Sequence, residues 1–362
     1  MLQLPDFPWD TLAPVAELAK AHSEGFIDLS VGSPVDSASR PAQVALSSAS
    51  DAHGYPATVG TVELREAIVS WYRRRRGVEL GQNNVLPTIG SKEFITTLPL
   101  VLGLGAGDVI VYPQVSYPSY AIGAEVVHAN AVAEDDPKNW PSDSKLIWLN
   151  SPGNPDGRVR SIAELERAVS RARELDAVIV NDECYAELNW ESNEPSPSIL
   201  DPRVIGESRH NILSVYSLSK QSNLAGYRAG IVAGCSQLLA GILAIRKHLG
   251  FMVPAPVQAA MIAALDDDAT VSAQREVYRK RRELLSSAIL AAGLEIDFSQ
   301  AGIYLWVRGN TDSWDLARKF ATLGILVTPG TFYADGSHVR IALTSSTHDI
   351  ETASERLKGF SK

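Results

Sequence analysis

Residues 212–220 read Ile-Leu-Ser-Val-Tyr-Ser-Leu-Ser-Lys, an apolar run that leads into a short polar stretch ending at Lys220. Two other apolar runs, 145–149 and 177–181, also lead into polar residues. Continuous apolar strands with helices between them are typical of a parallel sheet that is covered on both faces. Ligands bind such sheets at the carboxyl ends of the strands. The stretch therefore predicts an α/β sheet with a ligand site near Lys220.

The alternation of strands and helices extends on both sides of this stretch. Apolar runs predict strands at 108–112, 124–127, 145–149, 177–181, 212–216 and 229–233. Apolar residues at helical spacing predict helices at 61–76, 91–102, 161–174 and 236–249. In the first of these helices, Thr61 is a candidate N-cap, and Arg73–Arg76 are interpreted as a solvated helix end that the macrodipole favours.

A different pattern begins near residue 251. A long, charged helix is predicted over 271–292. Shorter strands are predicted to follow at 303–307, 325–328 and 338–343. The first 45 residues hold a short helix and an extended piece, but no core of their own. We therefore expect a large domain over 46–250 and a smaller α+β domain formed from both chain ends, 1–45 and 251–362.

The composition is that of an ordinary globular protein. Of 362 residues, 45% are hydrophobic and 21% are charged, and the net charge is −9. Such an acidic chain lacks the basic surface that coats nucleic acids. The two cysteines, Cys184 and Cys235, lie in apolar stretches, and the seven histidines lack metal-ligand spacing. Neither a disulfide framework nor a metal site is expected.

The sequence also lacks signals for export or membrane insertion. The N-terminal residues have neither the basic nor the apolar segment of a signal peptide. The best candidate for a membrane span, 229–245, is short and interrupted by glycines. We expect a cytoplasmic protein with neither nucleic acid nor membrane as a partner.

Polar residues after three of the predicted strands could carry chemistry. The amine of Lys220 could form a Schiff base with an aldehyde. The carboxylate of Asp182, with Tyr185 three residues later, could hold a pyridine nitrogen protonated. Asn154 lies in a Gly/Pro-rich turn, 151–157, where its amide could donate to a ring oxygen. Taken alone, each residue is more typical of a loop or a helix cap than of a catalytic site.

Two arginines complete the set of candidates. Arg228 follows Lys220 by eight residues, and Arg340 lies within a predicted apolar strand. Guanidinium groups suit bidentate recognition of phosphate and carboxylate. A charge inside an apolar strand is costly without a partner, so an internal salt bridge is the alternative for Arg340.

Taken together, these positions resemble the fold-type-I aminotransferases that use pyridoxal 5′-phosphate. The match rests on SPGNPDG, NDECY, SLSK with an arginine eight residues later, and VRIA. The resemblance implies an α/β fold with a mostly parallel seven-stranded sheet flanked by helices, plus a smaller α+β domain. It also implies a homodimer with active sites at the interface.

Four more segments extend the resemblance over nearly the whole chain. Residues 29–34 resemble the N-terminal substrate loop, and 54–56 resemble the loop whose tyrosine reaches the partner subunit's phosphate. Residues 90–93 resemble the phosphate loop at a helix start, and 117–120 the segment whose first tyrosine stacks on the cofactor ring.

The resemblance assigns a role to each matching residue. It implies cofactor binding by Tyr55, Ser91, Lys92, Tyr117, Asn154, Asp182, Tyr185, Ser217, Ser219, Lys220 and Arg228. It implies catalytic roles for Lys220, Asp182 and Tyr185. It implies substrate binding by Gly32, Asn154 and Arg340.

The implied reaction moves an amino group between an amino acid and 2-oxoglutarate. The chain looks most like the bacterial N-succinyldiaminopimelate aminotransferases of lysine and cell-wall biosynthesis. Residues 251–256 contain no arginine that could bind a second carboxylate. This weakens the interpretation of the chain as a simple aspartate aminotransferase. Aspartate, alanine or aromatic aminotransferases and a C–S β-lyase stay open as alternatives. A pyridoxal-sensing regulator is also an alternative, although little room precedes Pro34 for a DNA-binding module.

Overall fold

The computed structural model describes residues 4–360, which form thirteen strands and thirteen α-helices. The strands are β1 (Ile27–Asp28), β2 (Val85–Ile89), β3 (Val109–Tyr112), β4 (Asn130–Ala133), β5 (Ser144–Asn150), β6 (Val178–Asp182), β7 (Ile212–Ser217), β8 (Ala229–Gly234), β9 (Glu295–Asp297), β10 (Tyr304–Arg308), β11 (Ile325–Leu326), β12 (Thr328–Pro329) and β13 (His338–Ala342). The helices are α1 (Ala13–Lys20), α2 (Arg40–Ser48), α3 (Val62–Arg76), α4 (Gly90–Val101), α5 (Ser119–Val126), α6 (Ile162–Glu174), α7 (Pro202–Ile205), α8 (Leu218–Gln221), α9 (Ser236–Leu249), α10 (Ala255–Leu265), α11 (Asp268–Ala291), α12 (Ser313–Thr322) and α13 (Thr347–Arg356).

Seven strands form the main sheet, in the order β2-β8-β7-β6-β5-β3-β4. The pairs from β7 to β4 are all parallel, whereas β8 runs antiparallel to both of its neighbours. The predicted mostly parallel, seven-stranded sheet is therefore confirmed. The edge strand β2 was not predicted, because Pro87 interrupts its apolar run; proline is tolerated at a sheet edge.

The strand predicted at 124–127 is wrong. Residues Ser119–Val126 form α5, and the neighbouring strand, β4, begins only at Asn130. Tyr120 and Ala124 are buried at helical spacing, which places them on the covered face of α5. The edge strand β4 is mostly exposed and so carries little apolar signal.

The C-terminal part builds a second, antiparallel sheet of four strands, in the order β12-β13-β10-β9. Its strands pack with α1, α11, α12 and α13 around one apolar cluster. This confirms the expected smaller α+β unit. The proposed division near residues 45 and 250 stays a prediction; α2 and α10 pack against each other, and Ala42 and Ala260 lie in the same apolar cluster as α3.

The N-terminal part is tied to this second sheet by backbone hydrogen bonds. Strand β1 pairs in parallel with β11, and the amide of Ala342 donates to the carbonyl of Leu29 at 2.8 Å. These bonds bring residues 30–32 beside β13. Within residues 4–360, no helix is both long enough and apolar enough to cross a membrane.

The four arginines that end α3 are not uniformly solvated, which corrects the sequence-based interpretation. Arg73 and Arg74 are partly exposed, but the Arg76 side chain is only 1% exposed and pairs with the fully buried Glu183 at 2.8 Å. Besides Arg76, Glu183 accepts hydrogen bonds from the side chains of Asn181 and Ser198 and from the backbone amide of Ile199. Because Glu183 directly follows Asp182, this ion pair anchors the end of β6.

Replacing Arg76 by methionine should lower the free energy of unfolding by about 3–5 kcal/mol, because a buried carboxylate would lose its cation. The matched control is Arg73→Met, which removes an exposed pair with Glu79 and should cost about 1 kcal/mol or less. Urea unfolding of both variants checks this. Equal midpoints for the two would contradict it.

Candidate active site

A cavity of about 480 Å³ lies at the carboxyl ends of β5, β6 and β7, beside the start of α4. Parallel strands bring their ends to one edge of the sheet, which is why residues far apart in the sequence meet here. The predicted site residues that line this cavity are Gly32, Ser91, Lys92, Tyr117, Asn154, Asp182, Tyr185, Ser217, Ser219, Lys220, Arg228 and Arg340. The structure thus brings together all the predicted residues except Tyr55.

The Lys220 amine lies in this cavity on the short helix α8, directly after β7. It donates a hydrogen bond to the carbonyl of Gly32 and has no carboxylate partner among the described residues. Burial lowers the pKa of the Lys220 amine, and the Arg340 guanidinium lowers it further, although Tyr304 opposes the shift. The neutral, nucleophilic form is therefore a larger fraction of the Lys220 amine than it is for an ordinary lysine.

The Asp182 carboxylate ends β6 and is almost fully buried, at 5% exposure. It accepts hydrogen bonds from the Tyr120 hydroxyl at 2.9 Å and from the amide of Cys184 at 3.1 Å. Burial raises its pKa above the ordinary value for aspartate. Within residues 4–360 no cationic side chain pairs with the Asp182 carboxylate. It can therefore form an ion pair with a positively charged group of a ligand.

The start of α4 lies beside Arg228, Ser217 and Ser219, and together they form a cradle that suits an anion. Gly90 has a φ of +69°, and a Cβ atom there would lie 2.3 Å from Nη2 of Arg228. Only glycine therefore leaves room for the guanidinium beside the first amides of the helix. Ser217 and Ser219 complete the cradle, with their hydroxyls 2.8 Å apart.

The Arg340 side chain is buried, at 3% exposure, and has no carboxylate partner in the described chain. Its guanidinium donates to Oδ1 of Asn154 at 3.0 Å and to the carbonyl of Ser30 at 2.7 Å. Its Nε atom is buried and has no hydrogen-bond partner in the part of the chain that the structure describes. Within residues 4–360 the internal salt bridge considered from the sequence is thus absent, and the guanidinium is available to an anion.

Three aromatic rings enclose Arg340, and sequence reasoning assigned none of them to the site. The guanidinium carbon lies 3.9 Å from the ring centre of Tyr304, 4.9 Å from that of Tyr333 and 5.9 Å from that of Trp9. Such cation–π contacts hold a desolvated guanidinium in place. No local pattern in the sequence marks these rings; Tyr304 lies on β10, which pairs with Arg340's strand, β13.

The structure also fits the pyridoxal 5′-phosphate that the resemblance implies. The cradle at α4 suits a phosphate, and the unpaired Asp182 carboxylate suits a pyridinium nitrogen. Lys220 lines the same cavity as these two features. Tyr55, in contrast, is 97% exposed and away from this cavity, so within one chain it has no contact with the site.

Loading of the cofactor-free protein with pyridoxal 5′-phosphate should become faster as the pH rises and level off at a lower pH than for free lysine, whose pKa is about 10.4. The reason is that only the neutral amine attacks an aldehyde, and the lowered pKa of Lys220 makes that form available earlier. Stopped-flow absorbance at a series of pH values measures this rate. A midpoint at or above the value for free lysine would contradict the expected direction.

Comparisons with known proteins agree with this site. Residues 24–357 match the family model described as aminotransferase class I and II. The chain is 46% identical to the 4-dedimethylamino-4-oxo-anhydrotetracycline transaminase of Streptomyces rimosus, over 99% of this chain and 100% of that one. It is 32% identical to the LL-diaminopimelate aminotransferase of Aquifex aeolicus, over 92% of this chain and 91% of that one.

The fold also matches that of a solved structure. The probable N-succinyldiaminopimelate aminotransferase of Thermus thermophilus superposes with a TM-score of 0.88 and 27% identity. The match covers 98% of this chain and 100% of that one.

Proposed function

Because the chain belongs to the class I and II aminotransferases, which depend on pyridoxal 5′-phosphate, we propose that it transfers the amino group of N-succinyl-LL-2,6-diaminopimelate to 2-oxoglutarate. The observation that carries the amino-acid part of this proposal is the buried Arg340, which lacks a carboxylate partner within residues 4–360. A desolvated guanidinium of this kind suits the α-carboxylate of an amino acid.

The proposed cofactor site uses the residues already described. The α4 amides of Ser91 and Lys92, with Ser217, Ser219 and Arg228, would hold the phosphate. The carboxylate of Asp182 would hold the ring nitrogen in its protonated form. Tyr117 would cover one ring face, while Asn154 and Tyr185 would donate to the ring oxygen. When bound, the cofactor supplies an electron-withdrawing ring that makes the proton on the substrate's Cα acidic.

The chain's own groups would then orient the substrate and move that proton. Arg340 and Asn154 would hold the α-carboxylate, and the carbonyl of Gly32 lies beside the Lys220 amine. A fixed carboxylate fixes the direction of the Cα–H bond. The neutral Lys220 amine would take the proton from Cα as a general base.

Two observations support the preference for a long acylated donor. Residues 251–256 have no arginine, and the N-terminal Phe7 and Trp9 line the cavity, giving it an apolar wall. A relative that acts on LL-diaminopimelate and a structural neighbour named for the succinylated form support this donor class.

A panel of amino donors with 2-oxoglutarate tests the proposal through conversion of the bound cofactor to its amine form. We expect the succinylated diamino acid to give the highest kcat/KM. Faster turnover of aspartate, alanine or an aromatic amino acid would overturn the proposed donor but would still support amino transfer as the reaction. Release of pyruvate and ammonia from cystathionine without an oxo-acid acceptor would instead identify a β-lyase.

A second candidate acceptor follows from the Streptomyces relative, whose name specifies an oxo-anhydrotetracycline. The aromatic wall made by Phe7 and Trp9, whose ring centres are 5.4 Å apart, favours flat apolar molecules. The same panel should therefore include a polycyclic ketone as acceptor. Conversion of that ketone to the amine at a rate above that with 2-oxoglutarate would favour this alternative.

The proposed assembly is a homodimer in the cytoplasm. Tyr55 is 97% exposed in the single chain, and it would gain its role only by reaching the phosphate of a partner subunit. Sedimentation of the active enzyme tests this. We expect a dimer, with Tyr55→Phe weakening cofactor binding; a fully active monomer would refute the assembly.

A further inference from the structure

A second, larger groove lies apart from the active site, beside α6. Its volume is about 740 Å³, and it is bounded by α6, the turn after β4 and the loop after β5. Five cationic side chains line it: Lys138, Arg158, Arg160, Arg167 and Arg171. None of them has a part in the amino-transfer site.

One face of α6 supplies the groove's helical wall. Glu164, Arg167, Arg171 and Glu174 follow one another at intervals of three or four residues and so lie on the same side of the helix. Residues four apart on a helix are separated by about 6 Å along its axis. Arg167 and Arg171 can therefore contact two neighbouring anionic groups of one ligand.

The carboxylates in the groove are already engaged. Glu164 accepts from Arg158 at 2.7 Å and also caps the start of α6, and Glu174 accepts from Arg171 at 2.9 Å. Asp136 accepts from the backbone amide of Lys138 at 3.0 Å. The remaining acid, Asp135, has one long contact of 3.4 Å with Arg160.

The cations, in contrast, keep donors to spare. The side chains of Arg167 and Lys138 have no ion pair or hydrogen bond to any residue from 4 to 360. The Arg160 side chain is 10% exposed, and its one ion-pair partner within residues 4–360 is Asp135, at 3.4 Å. Nε of Arg171 is buried and has no hydrogen-bond partner among the described residues. Burial also lowers the pKa of Arg160, as expected for a cation that lacks full compensation.

We infer that this groove is a binding site for a small anion carrying two or more phosphate or carboxylate groups. Arginine forks match the geometry of both groups, and a partly buried guanidinium gains most from a direct anionic partner. Arg167 and Lys138 would contact the exposed end of the anion, and Arg160 and Arg171 its buried end.

The groove is also joined to the amino-transfer site through one loop. Residues 151–160 contain Asn154 at one end and Arg158 and Arg160 at the other. The backbone amide of Arg160 donates to Oγ of Ser151 at 2.9 Å, and the amide of Gly153 donates to the carbonyl of Arg158 at 3.0 Å. An anion held in the groove therefore contacts the loop that positions Asn154.

Titration calorimetry of the holoenzyme with inorganic pyrophosphate and, separately, with citrate tests the site at constant ionic strength. The two probes distinguish phosphate from carboxylate as the anionic group. We expect at least one of them to bind saturably, and Arg167→Gln combined with Lys138→Gln to weaken that binding by about tenfold or more. Both side chains are exposed and unpaired, so the fold should tolerate their replacement.

Two control variants separate this groove from other cationic sites. Arg318→Gln, which removes an exposed arginine on α12, should leave the affinity unchanged. Arg340→Gln should also leave it unchanged, because that residue belongs to the amino-transfer cavity. The proposal is overturned if neither probe binds, if the groove variants bind as tightly as the wild type, or if Arg340→Gln alone abolishes binding.

Discussion

Lys220→Ala is expected to lower kcat by about a thousandfold or more. Positioned acid–base groups contribute about 10²–10⁴ to the rate, and this amine would also attach the cofactor covalently. The structure offers no substitute: in the described chain the other cations lining the cavity are Lys92, Arg228 and Arg340. Lys92 lies over the rings of Phe7 and Tyr117 instead.

Two measurements separate loss of chemistry from loss of the fold. Absorbance of the purified variant should lack the band of the covalently bound cofactor, while added pyridoxal 5′-phosphate still binds through the cradle at α4. The matched control, Lys247→Ala, removes an exposed lysine on α9 and should keep both the band and the activity. A Lys220→Ala enzyme with near-normal turnover would disprove the assigned role.

Arg340→Leu should reduce kcat/KM for an amino-acid donor by about 30-fold to several-thousand-fold. Removing one partner of a buried, hydrogen-bonded charge pair costs about 2–5 kcal/mol, which corresponds to that range. KM should rise because the guanidinium would bind the α-carboxylate. The kcat should fall because the same contact would fix the direction of the Cα–H bond.

An amine without a carboxylate provides the discriminating control. Its slow reaction with the bound cofactor should be the same in the wild type and in Arg340→Leu, since there is no carboxylate to hold. An equal loss for both substrates would mean that Arg340 acts only through packing against Tyr304 and Tyr333. Arg340→Lys should recover part of the binding but little of the orientation, because lysine lacks the planar fork.

The site's centre could be predicted from the sequence because its residues directly follow apolar strands. Lys220, Asp182 and Asn154 each follow an apolar run of residues. The length of each run and its continuous apolar character identify it as a buried strand. The sheet then brings these ends together without any further information.

The remainder depends on contacts that no local pattern encodes. Trp9 reaches Arg340 because the N-terminal residues pack against the apolar cluster of the second sheet. The strands β1 and β11, which pair there, have two residues each and leave almost no signal in a sequence. The exposed edge strand β4 was missed for a related reason, since burial is what produces an apolar run. Tyr55 is not part of the site within one chain, so its role stays a prediction.

The long separation between Arg340 and its partners has a consequence for synthesis of the protein. Its hydrogen-bond acceptors lie 186 and 310 residues earlier in the chain. At roughly 5–20 residues per second, a ribosome needs about 6–24 s to make the ~120 residues that separate Lys220 from Arg340. During that interval the growing chain already contains Lys220 and, eight residues later, Arg228, but not Arg340. The proposed cofactor-binding residues are therefore all made before the arginine that would bind the substrate's α-carboxylate.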